Sequence, residues 1–244
     1  KAGRNQYALY GPDMGEQIRK RRRIDDRIKE AFEKAEFDLH YQPLVSCGPD
    51  GPERVGYEAL LRLNGSDGQP ISPAEFIPRI EELGLIDEVG GWVIRRATSD
   101  IAREPGSPKV SVNLSASQFR CGNLTEIVES ALVESGLPPE RLELEVTESL
   151  LLDDDPAIAH QMDVLQDKGI HIAMDDFGTG FSSLGYLWRY GFDRIKIDRS
   201  FVAGISARDD RSTQIIEAIV LLGKRLGMQV TAEGVETEFQ AEIL

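Results

Sequence analysis

From Phe37 onward the chain alternates between two kinds of apolar segment, and that alternation admits few folds. Strand-like stretches are Phe37–Val45, Val55–Leu63, Lys109–Leu114, Leu142–Val146, Ile170–Met174, Arg194–Ile197 and Gln229–Thr231. Helical patterns fall between most of them, at Pro73–Leu83, Glu88–Arg103, Leu124–Ser135, Ile158–Lys168, Ser182–Tyr190 and Thr213–Leu226. Glycine closes many of these helices, as at Gly84, Gly136 and Gly227, where a left-handed residue is the usual stop. Strand, helix, strand in succession means parallel strands joined by crossover helices. The first two strands are the exception. Only Cys47–Pro52 separates them, too short for a crossover helix, so they are expected to pair antiparallel. No GxGxxG follows the first strand, which disfavours a dinucleotide-binding sheet. The expected fold class is therefore α/β, a TIM-like (β/α)8 barrel with one antiparallel strand. The 244 residues suit one such barrel, which runs to roughly 250.

Ahead of the alternation lie two shorter stretches. Residues 1–14 carry Gly, Pro and the alternating segment Gln6–Tyr10, like the end of something upstream. Residues 15–34 read as a charged linker helix containing Arg19-Lys20-Arg21-Arg22-Arg23. Asp25, Asp26, Glu30 and Glu33 follow at helical spacing, so the run is expected to pair within its own solvated helix rather than to grip nucleic acid. The net charge of −14 speaks against nucleic acid and anionic membranes for the whole chain as well. No apolar run approaches the roughly 20 residues of a membrane helix. Cys47 and Cys121 form no CxxC pair, which excludes a disulfide framework and suits a reducing, cytoplasmic setting.

The positions of the acids carry the functional information. Glu58 lies inside the second strand, Glu145 and Glu148 end the fourth, Asp175 and Asp176 end the fifth, and Glu233 ends the seventh. Asn113 ends the third strand and Lys196 lies in the sixth. In a barrel of parallel strands these ends open on one face. Any single strand-end acid is more simply a helix cap or a surface charge. Six of them in succession are not. Together with Lys196 and Arg62 they leave a formal −4, a repulsion that burial aggravates unless cations neutralise it. Two divalent ions would do so. Oxygen donors with one amide suit Mg²⁺ or Mn²⁺ rather than zinc, and His40, His160 and His171 fit no ligand spacing. Two metals sharing a carboxylate are the usual apparatus for in-line attack at phosphorus. The residues alone thus indicate a metal-dependent phosphoesterase or similar hydrolase.

At these same positions the chain resembles the EAL-domain phosphodiesterases, which hydrolyse cyclic di-GMP. Glu58-Ala59-Leu60-Leu61-Arg62 is the signature that names that family. Around it stand Gln42-Pro43-Leu44, Ser111-Val112-Asn113-Leu114-Ser115, Glu145-Val146-Thr147-Glu148, Asp175-Asp176-Phe177-Gly178-Thr179-Gly180, Lys196-Ile197-Asp198 and Ala232-Glu233-Gly234-Val235-Glu236, in the family's order over residues 35–244. The resemblance implies roles. Glu58, Asn113, Glu145 and Asp175 match ligands of a first Mg²⁺ or Mn²⁺. Asp175 and Asp176 match ligands of a second, with Asp175 shared. Glu233 matches the group that deprotonates or orients water, Lys196 the lysine beside that water, and Glu148 the acid holding the loop 177–184. Gln42, Arg62 and Glu58 match residues at the substrate, Arg62 at a phosphate. The implied product is linear pGpG.

Lys1-Ala2-Gly3-Arg4-Asn5-Gln6-Tyr7 resembles the closing strand of a GGDEF (diguanylate cyclase) domain, so a covalently linked GGDEF partner is expected upstream. The chain departs from the family in two places. Phe181 stands where Tyr is common, and Leu244 falls in the helix after the seventh strand, without the family's closing strand. A catalytically silent module that binds cyclic di-GMP is the competing reading, but every matched ligand and the base are present. Finally, Leu184, Tyr186, Leu187, Trp188 and Tyr190 spread around one short helix. Such a cluster is expected to serve as a symmetric homodimer patch.

Overall fold

A computed structural model of the chain describes residues 12–48, 51–151, 155–178, 184–205 and 211–244. They belong to two units, residues up to 40 with 61–89, and residues 41–60 with 90–244. The larger unit is built on a sheet whose strands alternate with helices. Its strands are β1 (Asp38–Gly48) from residue 41 on, β2 (Gly51–Asn64) up to residue 60, β4 (Lys109–Leu114), β5 (Leu142–Thr147), β6 (His171–Phe177), β7 (Arg194–Ile197) and β8 (Gln229–Ala232), and the sheet order follows the chain. The two-residue connection between β1 and β2 leaves only an antiparallel arrangement for that pair. Every later neighbour, from β2 and β4 to β7 and β8, is parallel. This is the α/β, TIM-like order expected from the alternation of segments.

Both faces of the central strands are buried, but their chemistry differs. One face carries Val110, Val112, Leu142, Leu144, Val146, Ile172, Met174, Ile195 and Ile197, all essentially inaccessible. The crossover helices α5 (Leu124–Ser135), α7 (Pro156–Asp167) and α10 (Arg211–Leu226) supply the matching apolar stripes through Leu124, Val128, Ile158, Met162, Leu165, Ile216 and Ile219. The alternate positions, two residues apart on the opposite face, are Ser111, Glu143, Glu145, Ala173, Asp175 and Lys196, and these are buried too. A face of buried charges inside a parallel sheet is costly unless the charges meet, and they do.

The smaller unit holds α1 (Pro12–Lys34), the two-residue strand β3 (Pro70–Ile71), α2 (Pro73–Glu82) and the start of α3 (Ile86–Ala102). β3 pairs antiparallel with the end of β2 through Leu63 and Ile71. Here the expectation of a solvated helix needs correction. Ile24, Ile28 and Ala31 of α1 are buried in one cluster with Leu63, Phe76, Ile80 and Val89, so this helix has a packed face. Its charges pair both ways: Lys34 bonds Glu30 at 2.6 Å along the helix, as the spacing suggested, while others reach α2. Asp25 accepts two hydrogen bonds from Arg79 of α2, both at 2.7 Å, and Lys20 bonds Glu75. Asp25 takes the tertiary partner because Arg79 offers it a fixed, forked donor.

Short helices escape a periodicity argument. Among them are α4 (Ala116–Cys121), α6 (Glu148–Leu151) and α9 (Arg199–Ala203). Their stops and starts are chemically explicit: Ser115 and Gln118 form a capping box, and Asp198 caps α9. Of the apolar helix expected at 182–190, the structure describes α8 (Leu184–Tyr190), in which Leu187 and Tyr190 are buried and Tyr186 is half-buried. Leu187 and Tyr190 thus turn inward. Ser182, Ser183 and the side chains of Leu184 and Trp188 lie outside the described residues, as do residues 1–11 with their GGDEF-like segment.

Candidate functional site

Lys196 organises the buried charges. It lies on β7, 1% exposed, and its ammonium reaches acids from four other strand positions. The Nζ is 2.5 Å from Glu145 Oε2 on β5, 2.7 Å from Glu233 Oε1 just past β8, 3.2 Å from Asp175 Oδ1 on β6 and 3.5 Å from Glu58 Oε2 on β2. Asn113, at the end of β4, donates its amide Nδ2 to Glu58 Oε1 at 2.8 Å. The parallel register explains the convergence. Asn113 is opposite Glu145, and Thr147 is opposite Asp175, so side chains distant in sequence arrive at neighbouring strand ends. The β7–β8 ladder extends by one bond, Glu233 N–H to the Ile197 carbonyl at 3.1 Å, which brings Glu233 level with the rest.

One cation among four carboxylates leaves the group short of positive charge, and the ionisation equilibria show it. Burial, reinforced by the charges of Glu58 and Asp175, pushes Glu145 up to about 8 in spite of Lys196. Glu233 is raised for the same reason, burial first. Asp176 is raised by burial and by the neighbouring charges of Asp175 and Asp198. For Lys196, burial alone would favour the neutral amine. The carboxylates of Glu145, Asp175, Glu58 and Glu233 outweigh it, and its pKa rises above the ordinary lysine value. Lys196 therefore stays charged while its partners compete for protons.

The donors fit hard divalent cations. They are carboxylate oxygens plus one amide, with no His or Cys. The inner oxygen of Glu145, Oε1, is buried with no hydrogen-bond partner, an unspent acceptor that a cation would satisfy. Among the described residues no three acidic, His or Cys side chains are preset around a single cation position. They are gathered on the Lys196 ammonium instead.

Asp176 sits where β6 shifts register between Met174 and Phe177, with φ +54°. Its backbone N–H donates to Asp175 Oδ1 at 2.9 Å. The left-handed turn breaks the alternation by which a regular strand would send two adjacent aspartates to opposite faces. Just beyond, Gly178 has φ +93°, and a Cβ there would lie 2.9 Å from the Phe201 ring of α9. On the other side, Gly234 follows Glu233 with φ +69°, and its Cβ would lie 2.6 Å from Arg199 Cβ, also of α9.

The remaining expected residues are placed differently. Glu148 does not end a strand. It is the first residue of α6 and is 5% exposed, because β5 stops at Thr147. Gln42 is exposed on β1, and no hydrogen bond among the described residues ties it to the acids. Arg62 belongs to the smaller unit, where its guanidinium donates to the Leu61 carbonyl at 3.0 Å. Two features were given no role by the sequence. Asp198 adds an acidic charge felt by Asp176. Beneath the acids lies a second polar tier, Ser111, Glu143, Arg194 and Thr231, each two residues before Asn113, Glu145, Lys196 and Glu233. The period of two along each strand was the available signal.

Residues 25–244 match the EAL domain family. The chain is a member of that family. It is 44% identical over 239 residues to an uncharacterised signalling protein of Caulobacter vibrioides, a match covering 98% of this chain and 29% of that protein. It is 39% identical over 246 residues to MucR of Pseudomonas aeruginosa, described as a bifunctional diguanylate cyclase/cyclic di-GMP phosphodiesterase, with 99% and 36% of the two chains covered. The chain thus spans about a third of the length of the curated relatives it matches, 28% to 36%. The solved structure of the MucR phosphodiesterase in complex with c-di-GMP superposes with TM-score 0.83 at 39% identity, over 91% of this EAL chain and 90% of that one. Among the described residues, no helix of this EAL chain is long and apolar enough to cross a membrane.

Proposed function

We propose that this EAL domain hydrolyses cyclic di-GMP to linear pGpG, using two divalent cations, Mg²⁺ or Mn²⁺. The observation that carries the reading is the convergence of Glu58, Glu145, Asp175 and Glu233 on Lys196 at the ends of parallel strands. Glu58, Asn113, Glu145 and Asp175 would hold one ion, and Asp175 with Asp176 the other. When bound, the ions supply positive charge to the phosphodiester and acidify the attacking water. The chain's own groups do the rest. Glu233, with its raised proton affinity, accepts or orients the proton of that water. Lys196, held cationic, faces the charge that develops as the P–O bond breaks. Glu148 steadies the segment after β6. Gln42 and Arg62 are assigned to the substrate by the family resemblance alone. The likeness to MucR and the length of the relatives support a GGDEF domain upstream in the same protein, and we place the chain in the cytoplasm.

Incubating the chain with cyclic di-GMP and Mg²⁺ or Mn²⁺ and resolving the nucleotides by chromatography tests the reading. Accumulation of pGpG is expected. Tight binding of cyclic di-GMP with no turnover in either metal would replace the enzyme by a receptor.

A further inference from the structure

We infer that Glu143 and Arg194 are a positioning pair that sets where the Lys196 ammonium sits among its carboxylates. The inference rests on the proposed hydrolysis for its kinetic readout, and on geometry alone for its structural one. Arg194 Nε donates to Glu143 Oε2 at 2.9 Å, and its Nη1 donates to Thr231 Oγ1 at 2.8 Å. The other oxygen of Glu143 accepts from Ser111 Oγ at 2.8 Å. Both carboxylate oxygens are therefore used, and Glu143 is 2% exposed.

This tier repeats the one above it, strand by strand. Above, Lys196 of β7 reaches Glu145 of β5 and Glu233 beyond β8. Below, Arg194 of β7 reaches Glu143 of β5 and Thr231 of β8. Each lower residue precedes its upper counterpart by two positions, about 6.6 Å along a strand, on the same face. The strand between β5 and β7 is β6, which supplies Asp175 to the upper tier and Ala173 to the lower. Ala173 is fully buried and stands opposite Arg194 in register. A longer side chain there would stand between the guanidinium and Glu143.

Lys196 has a flexible stem and four acids within reach, so its own bonds do not select one position. A forked, two-ended cation beneath it fixes the lateral spacing of β5, β7 and β8 more tightly. Net stability is not the obvious gain. Apolar residues of similar volume hold such a site as well or better than a buried ion pair.

That last point supplies the test. The triple variant Ser111→Ala, Glu143→Leu, Arg194→Met removes the tier without leaving a buried orphan. We expect its unfolding temperature to stay within a few degrees of the parent. We expect kcat for cyclic di-GMP to fall at least about tenfold, with KM changed less than about threefold, because misplacement of reacting groups by about an ångström costs rate first. An equally stable variant with parental kcat overturns the inference. A parent without turnover overturns the proposed hydrolysis and not the pair. The crystal structure of the triple variant then decides, since Lys196 Nζ should move beyond about 3.5 Å from Glu233. If it keeps its parental position, the inference fails. Should the triple variant not fold, Thr231→Val cuts only the link to β8 at a half-buried site. A kcat loss of about threefold is expected there, and no loss counts against the pair.

Discussion

Asp25 and Glu145 are both carboxylates bonded to a cation, yet their proton affinities move in opposite directions. In the smaller unit, Asp25 meets the guanidinium of Arg79 through two bonds of 2.7 Å at a partly solvated site. That hydrogen-bonded partner holds its pKa below the ordinary value. In the larger unit, Glu145 meets Lys196 at 2.5 Å, but buried, and alongside Glu58 and Asp175. Its pKa rises to about 8. In the first region Arg79 also bonds Glu82, but Lys29 and Arg21 add further positive charge near Asp25. The other sets four carboxylates around a single ammonium. Ion pairs of similar length thus report different purposes, and the count of charges around them tells which.

If that contrast is right, the deepest damage comes from the acid shared by both proposed cation positions. Asp175→Asn should lower turnover at least ~100-fold, ~2.7 kcal/mol of transition-state stabilisation, with the circular dichroism spectrum unchanged. Parental turnover in that variant would dissolve the distinction between the two regions. Glu233→Gln should follow, with kcat down about tenfold to a hundredfold and little change in cyclic di-GMP affinity. A parallel loss of affinity would make Glu233 a binding group.

Stability sharpens the comparison further. Glu145 binds its proton more tightly folded, about 8 against 4.5, so its contribution is complete below about 4.5 and is lost as pH rises through about 8. The metal-free chain should therefore weaken toward alkaline pH, and Glu145→Gln should flatten that decline in a series of chemical denaturations. Added Mn²⁺ should restore the parent at pH 8 and leave the variant less changed. Asp25 behaves in reverse. Its contribution is present above about 3.8 and fades as pH falls through its lowered folded value. Asp25→Asn should cost at most about 1 kcal/mol, because the pair is partly solvated, and should leave turnover untouched. A loss of activity there would show that the two regions are not chemically separate.

The parts legible in the sequence were those written in a single strand or helix. The order of strands, the acids at Glu58, Asp175 and Glu233, and the long helices all follow from local period and punctuation. Glu148 was misplaced because nothing local announces that β5 yields to α6 after Thr147. The tertiary pairs of α1 are hidden because Arg79 lies 54 residues from Asp25, and Glu75 lies 55 from Lys20. The lower tier was overlooked because Glu143 and Arg194 lie in the middle of apolar strands, where only register shows that they meet.

The helix α9 lies under both Gly178 and Gly234, with Phe201 filling one absent Cβ and Arg199 the other. The two glycines follow Asp176 and Glu233 on separate strands, yet they share one five-residue support. Substitutions at the two positions should consequently not be independent. Gly178→Ala must push Phe201, and the displaced helix then changes what Gly234→Ala meets. A double-mutant cycle would read this as a coupling between sites that never touch. Sequence change in either loop would accordingly be filtered by the state of the other, and drift across the family would move them as a linked pair.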